Sequence, residues 1–296
     1  MLNELQLHSR KIGGSDASVI MGVNPWKSRY QLWLEKTGQV EPEDISDKPA
    51  VEMGNLMEPL IVDFYRKKTG HKVDYTPDAP SMTHPEYDFI TGMPDGFVKT
   101  ATDRGILECK NVGWRSIFAW ERGVPEHYKY QAYHYLLLTG RGWCDFAACL
   151  GGGEIVIIPV TMPQGMAEEM IGEYTKFWDC VTTFKPPEIQ TPGEATLRWP
   201  EDNGTSVIAD ENITILSGNI SRLKSEKKEI EKTLEKNITE IQSFMGENQS
   251  LISRGGKRLH TWKTQSRETL DTKLLKKDHP ELARDYTRAT TSRVFR

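Results

Sequence analysis

The sequence has few cysteines, and they follow no metal-binding or disulfide pattern. Four cysteines occur in 296 residues, at positions 109, 144, 149 and 180, and no two of them form a C-x-x-C pair. The seven histidines are scattered, without H-E-x-x-H or zinc-finger spacing. These absences predict reduced thiols, and they argue against a disulfide framework and a zinc site.

Long apolar runs are also absent. No stretch approaches the roughly 18–20 consecutive apolar residues that a membrane-spanning helix needs. The first ten residues, MLNELQLHSR, lack the charged start and the apolar run of a signal peptide. With 37% hydrophobic and 27% charged residues, the composition is typical of a soluble protein, and we expect a location in the cytoplasm.

The net charge of −4 conceals an uneven distribution. Residues 1–211 carry 20 basic and 31 acidic side chains, residues 212–249 carry 6 of each, and residues 250–296 carry 12 basic against 5 acidic. The basic tail favours an anionic partner, either nucleic acid or an acidic protein. It mixes aromatic and basic residues as nucleic-acid surfaces do, although a solubilising surface around a small core would explain them equally. The candidate DNA contacts are Trp262, Lys263, Arg267, Lys276 and Lys277.

The chemistry of the chain centres on residues 89–110. β-prone residues flank a turn at residues 100–105, which predicts a hairpin. Strand alternation would place Glu108 and Lys110 on one face and Cys109 on the other, and a bend in the partner strand would bring Asp95 beside Glu108. Two carboxylates and a lysine at one strand end suit Mg²⁺ binding and phosphodiester hydrolysis. For an isolated Glu-x-Lys, the alternative is a solvated surface pair.

A glycine pair near the N-terminus suggests an anion pocket. Arg10 and the residue after it precede Gly-Gly, and Ser15 and Ser18 follow at the start of a predicted helix. Backbone amides at such a helix start attract anions, and basic residues in front would strengthen the attraction. Ordinary helix capping explains the same residues equally well.

Two further helices carry candidate polar residues. Glu58 lies on a helix predicted over residues 51–68, and a carboxylate on its buried face would require a partner or a metal, whereas a half-exposed one would not. Gln131 shares one stripe of a later helix with Tyr128 and Tyr135, which indicates either aromatic core packing or a site. The buried face of the helix over residues 51–68 is predicted from its apolar positions, which are Met53, Leu56, Leu60, Ile61 and Phe64.

The order of elements predicts an α/β (α+β) fold in which helices flank a mixed central sheet. We expect one domain over residues 1–191 and, from its Pro, Gly, Asp and Asn content, a linker over 192–211. Residues 212–249 hold apolar side chains three and four apart, which predicts a long amphipathic, coiled-coil-like helix. Residues 250–296 predict a small basic module of strand, short helix and strand.

Five short motifs occur in an order typical of one family. They are Arg-x-x-Gly-Gly-Ser-Asp-Ala-Ser with a following Asn-Pro-Trp, then Met-Gly-Asn-Leu-Met-Glu-Pro, Gly-x-Pro-Asp, Glu-Cys-Lys and Tyr-x-x-Gln. In this order they resemble the YqaJ-type viral recombinase family, which belongs with phage lambda exonuclease among the PD-(D/E)xK nucleases. The resemblance covers about residues 8–185 and implies a restriction-endonuclease-like core.

The resemblance implies a role for each matching residue. Asp95, Glu108 and the backbone carbonyl of Cys109 would be metal ligands, with Glu58 as a further acidic ligand. Lys110 would be the catalytic lysine. Two supporting roles follow. Gln131 would assist the lysine or the attacking water, and Arg10 with Ser15 or Ser18 would contact a 5′-phosphate.

The implied activity is a 5′ to 3′ exonuclease on double-stranded DNA that leaves 3′ overhangs and uses one or two Mg²⁺ or Mn²⁺ ions. Such an enzyme is phage or prophage encoded and acts in the bacterial cytoplasm. A single-strand annealing protein of the RecT or Redβ kind would be its partner, and a homo-oligomer such as the ring trimer of lambda exonuclease would be possible. Nucleases of the Cas4 and AddB kind carry a four-cysteine iron–sulfur cluster, and the cysteine spacing here argues against one.

Two other interpretations use the same residues. One is a structure-specific or restriction-like endonuclease with the same metal site. The other is a non-catalytic module that binds DNA ends or a partner through the C-terminal helix.

Overall fold

A five-stranded sheet organises the first of the two units of the computed structural model, Met1–Arg198 and Trp199–Arg296. The structure describes residues 11–77, 79–289 and 291–295. The strands of this unit are β1 (Lys72–Asp74), β2 (Met82–Thr83), β3 (Thr91–Gly92), β4 (Gly96–Lys99), β5 (Arg104–Val112), β6 (Cys144–Leu150) and β7 (Glu154–Val160). The large sheet has the order β1-β4-β5-β6-β7, and β2 pairs with β3 separately. Because β5 and β6 run parallel while the neighbouring pairs are antiparallel, the sheet is mixed, as predicted.

Helices cover both faces of the sheet. They are α1 (Gly14–Ile20), α2 (Arg29–Lys36), α3 (Pro49–Thr69), α4 (Glu126–Thr139), α5 (Met166–Thr182) and α6 (Pro192–Arg198), with a 3-10 helix at Trp114–Trp120. Side-chain alternation along β5 sends Ile106 into the larger core, with α1, α2, α4 and α5, and sends Leu107 and Cys109 into the smaller core beneath α3. The predicted α/β fold with a mixed, helix-flanked sheet is therefore confirmed.

The predicted buried face of α3 is wrong in most of its positions. Its buried residues are Ile61, Val62 and Tyr65, which pack on small side chains of β5 and β6. The C-terminal half of the helix thus contacts the sheet along one narrow stripe, and the apolar pattern in the sequence marked a neighbouring stripe. The exposed members of the predicted face are Met53, Leu56, Leu60 and Phe64, which are 38–62% exposed.

The segment 192–211, which its composition predicts as a linker, begins with α6. The Glu194 side chain is buried and accepts hydrogen bonds from the backbone N–H groups of Gln190, Thr191 and Tyr30, at 2.6, 3.0 and 3.3 Å. These bonds attach α6 to the start of α2. Residues 199–210 carry neither helix nor strand.

The second unit is built on one long helix, as predicted. The helix α7 (Glu211–Met245) begins where the Asp210 carboxylate accepts a hydrogen bond from the N–H of Ile213 at 2.8 Å. A hairpin of β8 (Ser250–Ile252) and β9 (Arg258–Thr261) follows, and then α8 (Thr272–Asp278) and α9 (Pro280–Asp285). The predicted final strand is wrong, because residues 287–289 and 291–295 form none. Across the described ranges of the chain, no helix is both long and apolar enough to span a membrane.

A buried histidine makes the first unit sensitive to acid. The side chain of His134 is fully buried, with Nε2–H donating to the carbonyl of Thr91 at 2.9 Å and Nδ1 accepting from the hydroxyl of Tyr174 at 3.1 Å. Burial lowers its pKa from 6.5 to about 4, against the opposing effects of the Thr91 carbonyl and Asp16, while Lys36 and His84 lower it further. The imidazole is therefore neutral in the folded protein at neutral pH.

This depressed pKa predicts a loss of stability between pH 6.5 and pH 4. The unfolded chain takes up a proton on His134 below pH 6.5, whereas the folded chain does so only near pH 4, so the stability present above pH 6.5 falls by about 3 kcal/mol across that window. We expect His134→Gln to be less stable at pH 7 but to show a shallower decline. Urea unfolding at pH 7.0 and 5.0 measures both slopes, and equal slopes would contradict the assignment.

Candidate active site

The strand register places Asp95 opposite Glu108. Asp95 directly precedes β4, and Gly96 pairs with Leu107 in the antiparallel β4–β5 ladder. The Asp95 carboxylate accepts a hydrogen bond from the backbone N–H of Cys109 at 2.7 Å. A Cβ at Gly96 would lie 2.9 Å from the side chain of Val73 in β1, so the close approach of β1 and β4 needs glycine. The hairpin therefore brings Asp95 and Glu108 together as the sequence predicts.

Lys110 is paired with Glu108 inside this pocket. The Nζ atom lies 3.0 Å from Glu108 Oε2, and the two side chains are 19% and 0% exposed. Cys109 points into the core on the opposite face of the sheet. The alternation expected for Glu-Cys-Lys is present, and the alternative of a solvated surface pair does not describe a fully buried glutamate.

Two carboxyl groups share one ammonium group in this pocket. Burial and the neighbouring Asp95 raise the pKa of Glu108 to about 8, and burial likewise raises the pKa of Asp95. Burial opposes the charge on Lys110, but Glu108 and Asp95 together keep its pKa above the ordinary value. Glu108 Oε1 is buried and has no hydrogen-bond partner in the described part of the chain. An unpartnered carboxylate oxygen beside a second carboxylate favours a bound cation.

Glu58 reaches the same pocket from α3. Its side chain is half-buried, and its pKa is raised by burial and next by Asp95. The Tyr75 hydroxyl interacts with Glu58, and burial and Glu58 raise the pKa of Tyr75 to about 12. Sequence analysis placed Glu58 near the site but missed Tyr75, because a single tyrosine after β1 carries no periodic signal.

The residues present fit a hard divalent cation such as Mg²⁺. In the described ranges, no three His, Cys, Asp or Glu side chains form a ready-made metal cluster. Mg²⁺ does not need one, since it is commonly held by one or two carboxylates and keeps several waters. Asp95 and the unpartnered oxygen of Glu108 would supply those carboxylates, with the Cys109 carbonyl and Glu58 as further oxygen donors.

One stripe of α4 faces the lysine. Lys110 Nζ lies 5.3 Å from the centre of the Tyr128 ring, and Gln131 Nε2 lies 3.5 Å from the Tyr135 hydroxyl. Burial and Glu108 raise the pKa of Tyr135, so its hydroxyl stays protonated. The stripe predicted from the spacing of these residues therefore borders the site, and a cation–π contact holds the lysine.

His127 is a site residue that sequence analysis missed. Its ring centre lies 4.2 Å from that of Tyr128, and its Nε2 is buried without a hydrogen-bond partner among the described residues. Burial and then Lys110 lower its pKa. The residue precedes the predicted stripe by one position, so its spacing gave no signal.

The glycine pair brings α1 against this stripe. A Cβ at Gly14 would lie 2.5 Å from the Tyr135 ring, so only glycine permits the contact. Asp16 fixes the turn, because its carboxylate accepts from the N–H of Gly13 at 2.8 Å and pairs with Lys36 Nζ at 2.6 Å. The motif thus caps α1 and also determines how closely the helix approaches the site.

The candidate phosphate-binding residues have different surroundings. Ser15 is exposed in the first turn of α1. Ser18 is buried, and its hydroxyl accepts a hydrogen bond from Asn24 Nδ2 at 2.9 Å. Arg10 lies outside the described residues. The candidate DNA contacts of the second unit, Trp262, Lys263, Arg267, Lys276 and Lys277, are exposed.

Gly14→Ala should destabilise the protein and slow its reaction. The new methyl group would overlap the Tyr135 ring, and overpacking of this kind costs about 1–3 kcal/mol. Displacement of Tyr135 would also disturb Gln131. Gly172→Ala in α5 is the matched control, because nothing lies within 4 Å of its added Cβ, and we expect a gain of about 0.5–1 kcal/mol. Urea unfolding of both variants tests the contact, and equal effects would contradict it.

Comparison with known proteins gives a domain match and a full-length relative. Residues 5–142 match the model of the YqaJ-like viral recombinase domain. The chain is 29% identical over 311 residues to the uncharacterized protein YqaJ of Bacillus subtilis (strain 168), covering 99% of this chain and 93% of that protein.

A solved structure shares this fold over 62% of the chain. The alkaline exonuclease LHK-Exo of Laribacter hongkongensis in complex with dAMP matches with a TM-score of 0.50 and 22% identity, over 62% of this chain and 94% of that chain. The same enzyme in another crystal structure matches with a TM-score of 0.49 and 20% identity over the same shares. The family match and the full-length relative agree: residues 5–142 of this chain are similar to the YqaJ-like viral recombinase domain.

Proposed function

We propose that this chain is a metal-dependent nuclease that degrades double-stranded DNA from its ends in the 5′ to 3′ direction. The observation that carries the proposal is the buried Glu108 carboxylate, which has one oxygen 3.0 Å from Lys110 Nζ, the other unpartnered, and Asp95 as a neighbour. The match to the YqaJ-like viral recombinase domain and the fold shared with an alkaline exonuclease support a nuclease. We propose residues 1–191 as the nuclease domain, 192–211 as the linker and the remainder as an accessory unit.

Each site residue has a distinct task in phosphodiester hydrolysis. When Mg²⁺ or Mn²⁺ is bound, it supplies Lewis acidity and a water of lowered pKa. Asp95, Glu108 and the Cys109 carbonyl would hold it, with Glu58 as a further donor. Lys110, a compact cation, offsets the negative charge that grows on the phosphate oxygens as a water oxygen bonds to phosphorus and the P–O3′ bond breaks.

The aromatic stripe of α4 orients the reacting groups. The Tyr128 ring contacts the Lys110 ammonium, which also pairs with Glu108. Gln131 is close to the Tyr135 hydroxyl, and we assign it to the lysine or the attacking water. This arrangement keeps Lys110 charged and directed at the pocket, so the lysine need not reorganise during the reaction.

The region of α1 is the proposed contact for a 5′-phosphate. Gly14 touches Tyr135, which places the exposed Ser15 close to the α4 stripe. We propose Ser15 and Arg10 as the contacts, with Ser18 holding the Asn24 turn behind them. Digestion from this end would leave 3′ overhangs for a single-strand annealing protein of the RecT or Redβ kind, and a homo-oligomeric ring would keep the enzyme on its DNA.

Linear and covalently closed circular duplexes distinguish the proposed activities. With Mg²⁺, the exonuclease should degrade linear DNA and leave circles intact, whereas EDTA should stop the reaction. Nicking of circles would favour a structure-specific or restriction-like endonuclease. Binding without cleavage of either substrate would favour a non-catalytic DNA-end module. Linear duplexes with a 5′-phosphate or 5′-hydroxyl then test the α1 contact, and equal rates on both would exclude it.

A further inference from the structure

A row of aromatic rings leads from the catalytic lysine to the surface. Lys110 Nζ lies 5.3 Å from the centre of the Tyr128 ring, Tyr128 lies 4.2 Å from His127, and His127 lies 4.8 Å from Trp26. The Trp26 side chain is 71% exposed, although tryptophan is among the more buried residue types on average. The row therefore ends in a large aromatic surface open to solvent beside the proposed site.

The chain holds this tryptophan in a fixed position. Asn24 Oδ1 accepts hydrogen bonds from the N–H groups of Trp26 and Lys27 at 2.9 and 2.8 Å. Its Nδ2 donates to the Ser18 hydroxyl at 2.9 Å, and its own N–H donates to the Ser18 carbonyl at 3.0 Å. Two of these bonds close the Asn-Pro-Trp turn and two attach it to Ser18 of α1, so the backbone that carries the exposed indole is fixed.

The neighbouring histidine offers an unused polar atom. His127 Nε2 is buried and has no hydrogen-bond partner among the residues that the structure describes. A buried polar atom without a partner is costly, and in native proteins it commonly indicates a missing water or ligand. The imidazole that carries this nitrogen contacts the exposed indole of Trp26 on one side of the row and the Tyr128 ring on the other.

We infer that Trp26 and His127 form a binding site for one nucleobase of the strand being hydrolysed. Trp26 stacks on the face of the base, and His127 Nε2 exchanges a hydrogen bond with the same nucleotide. A base inside a duplex is stacked on both sides, so the site accepts a base that has left its pair at the DNA end. The inference rests on the proposed nuclease function. It assigns the separation of terminal base pairs to the Asn-Pro-Trp turn between α1 and α2.

A double-mutant cycle between the protein and the DNA tests this contact. Linear duplexes carry one abasic residue at the first, second or third nucleotide of the 5′ strand. Affinity is measured in Ca²⁺, which takes the same oxygen ligands in looser geometry, and kcat/KM is measured in Mg²⁺. Base–aromatic stacking predicts that Trp26→Ala weakens binding of intact DNA by about 5- to 100-fold, with Trp26→Phe within about threefold of wild type.

The coupling separates stacking from a structural role. At one abasic position, the wild type should lose about as much affinity as Trp26→Ala loses on intact DNA, and Trp26→Ala should lose nothing more. Additive losses at all three positions, or unchanged binding by Trp26→Ala, would overturn the inference. The exposed Phe64 of α3 provides a control, and Phe64→Ala should bind all four duplexes like wild type. If the coupling appears in Ca²⁺ but wild type cleaves no DNA in Mg²⁺, the nuclease proposal fails while the base-binding site stands.

Discussion

Lys110→Met is expected to lower kcat on linear DNA by about 100- to 1,000-fold while leaving DNA affinity in Ca²⁺ nearly unchanged. Methionine keeps most of the length and apolar contact of the lysine but removes the charge that offsets the developing negative charge on the phosphate. Loss of one such stabilising group costs about 2.7–4 kcal/mol in the transition state. Because the ammonium lies 3.0 Å from Glu108 and over the Tyr128 ring, no other described cation occupies its place.

The same substitution affects stability in a way that can be separated from catalysis. Glu108 would lose its partner inside the core, and removing one member of a buried ion pair costs about 3–5 kcal/mol when the remaining group stays charged. The raised pKa of Glu108 lets it take up a proton and avoid much of this cost. Lys36→Met, which removes the partner of Asp16, is the control for a lost ion pair outside the site. If Lys110→Met cleaves at the wild-type rate, Lys110 has no catalytic role.

The local chemistry of the site could be predicted because it follows from strand geometry. Alternation along β5 determines that Glu108 and Lys110 share a face, and the hairpin register determines that Asp95 lies opposite Glu108. The glycine pair was recognised as a helix start. Its packing role was not, because the contact of Gly14 with Tyr135 depends on two helices meeting in space.

Contacts between distant segments could not be predicted from local sequence patterns. Tyr75 meets Glu58, and Trp26 meets His127, through tertiary packing that no local period encodes. The face of α3 was assigned wrongly for a related reason. A helix with apolar residues on two adjacent stripes buries the one that fits the partner, and the small side chains of β5 and β6 favour the stripe that contains Val62 and Tyr65.

Glu108→Gln should separate stability from function. Glutamine has the same shape but no charge to desolvate, and burial is the main cause of the raised pKa of Glu108. Without metal, we therefore expect a Tm equal to or above that of wild type, even though Lys110 loses its ion-pair partner and keeps Asp95 and Glu58 as counter-charges. Cleavage should fall by at least about 100-fold, because a metal ligand and the orienting partner of Lys110 are lost.

Metal linkage makes this prediction specific to the site. A ligand that binds only the folded state stabilises it by RT ln(1 + [L]/Kd), so each 10-fold increment of Mg²⁺ above Kd should raise the Tm of wild type but not of Glu108→Gln. Glu43→Gln is the matched control, since Glu43 is 75% exposed and pairs with Lys48 on the surface, and it should respond to Mg²⁺ like wild type. A Mg²⁺-dependent rise in Tm that persists in Glu108→Gln would place the cation elsewhere. If Glu108→Gln has a Tm in metal-free solution well below that of wild type, Glu108 is retained for folding. The cost of burying its charge would then have no functional explanation.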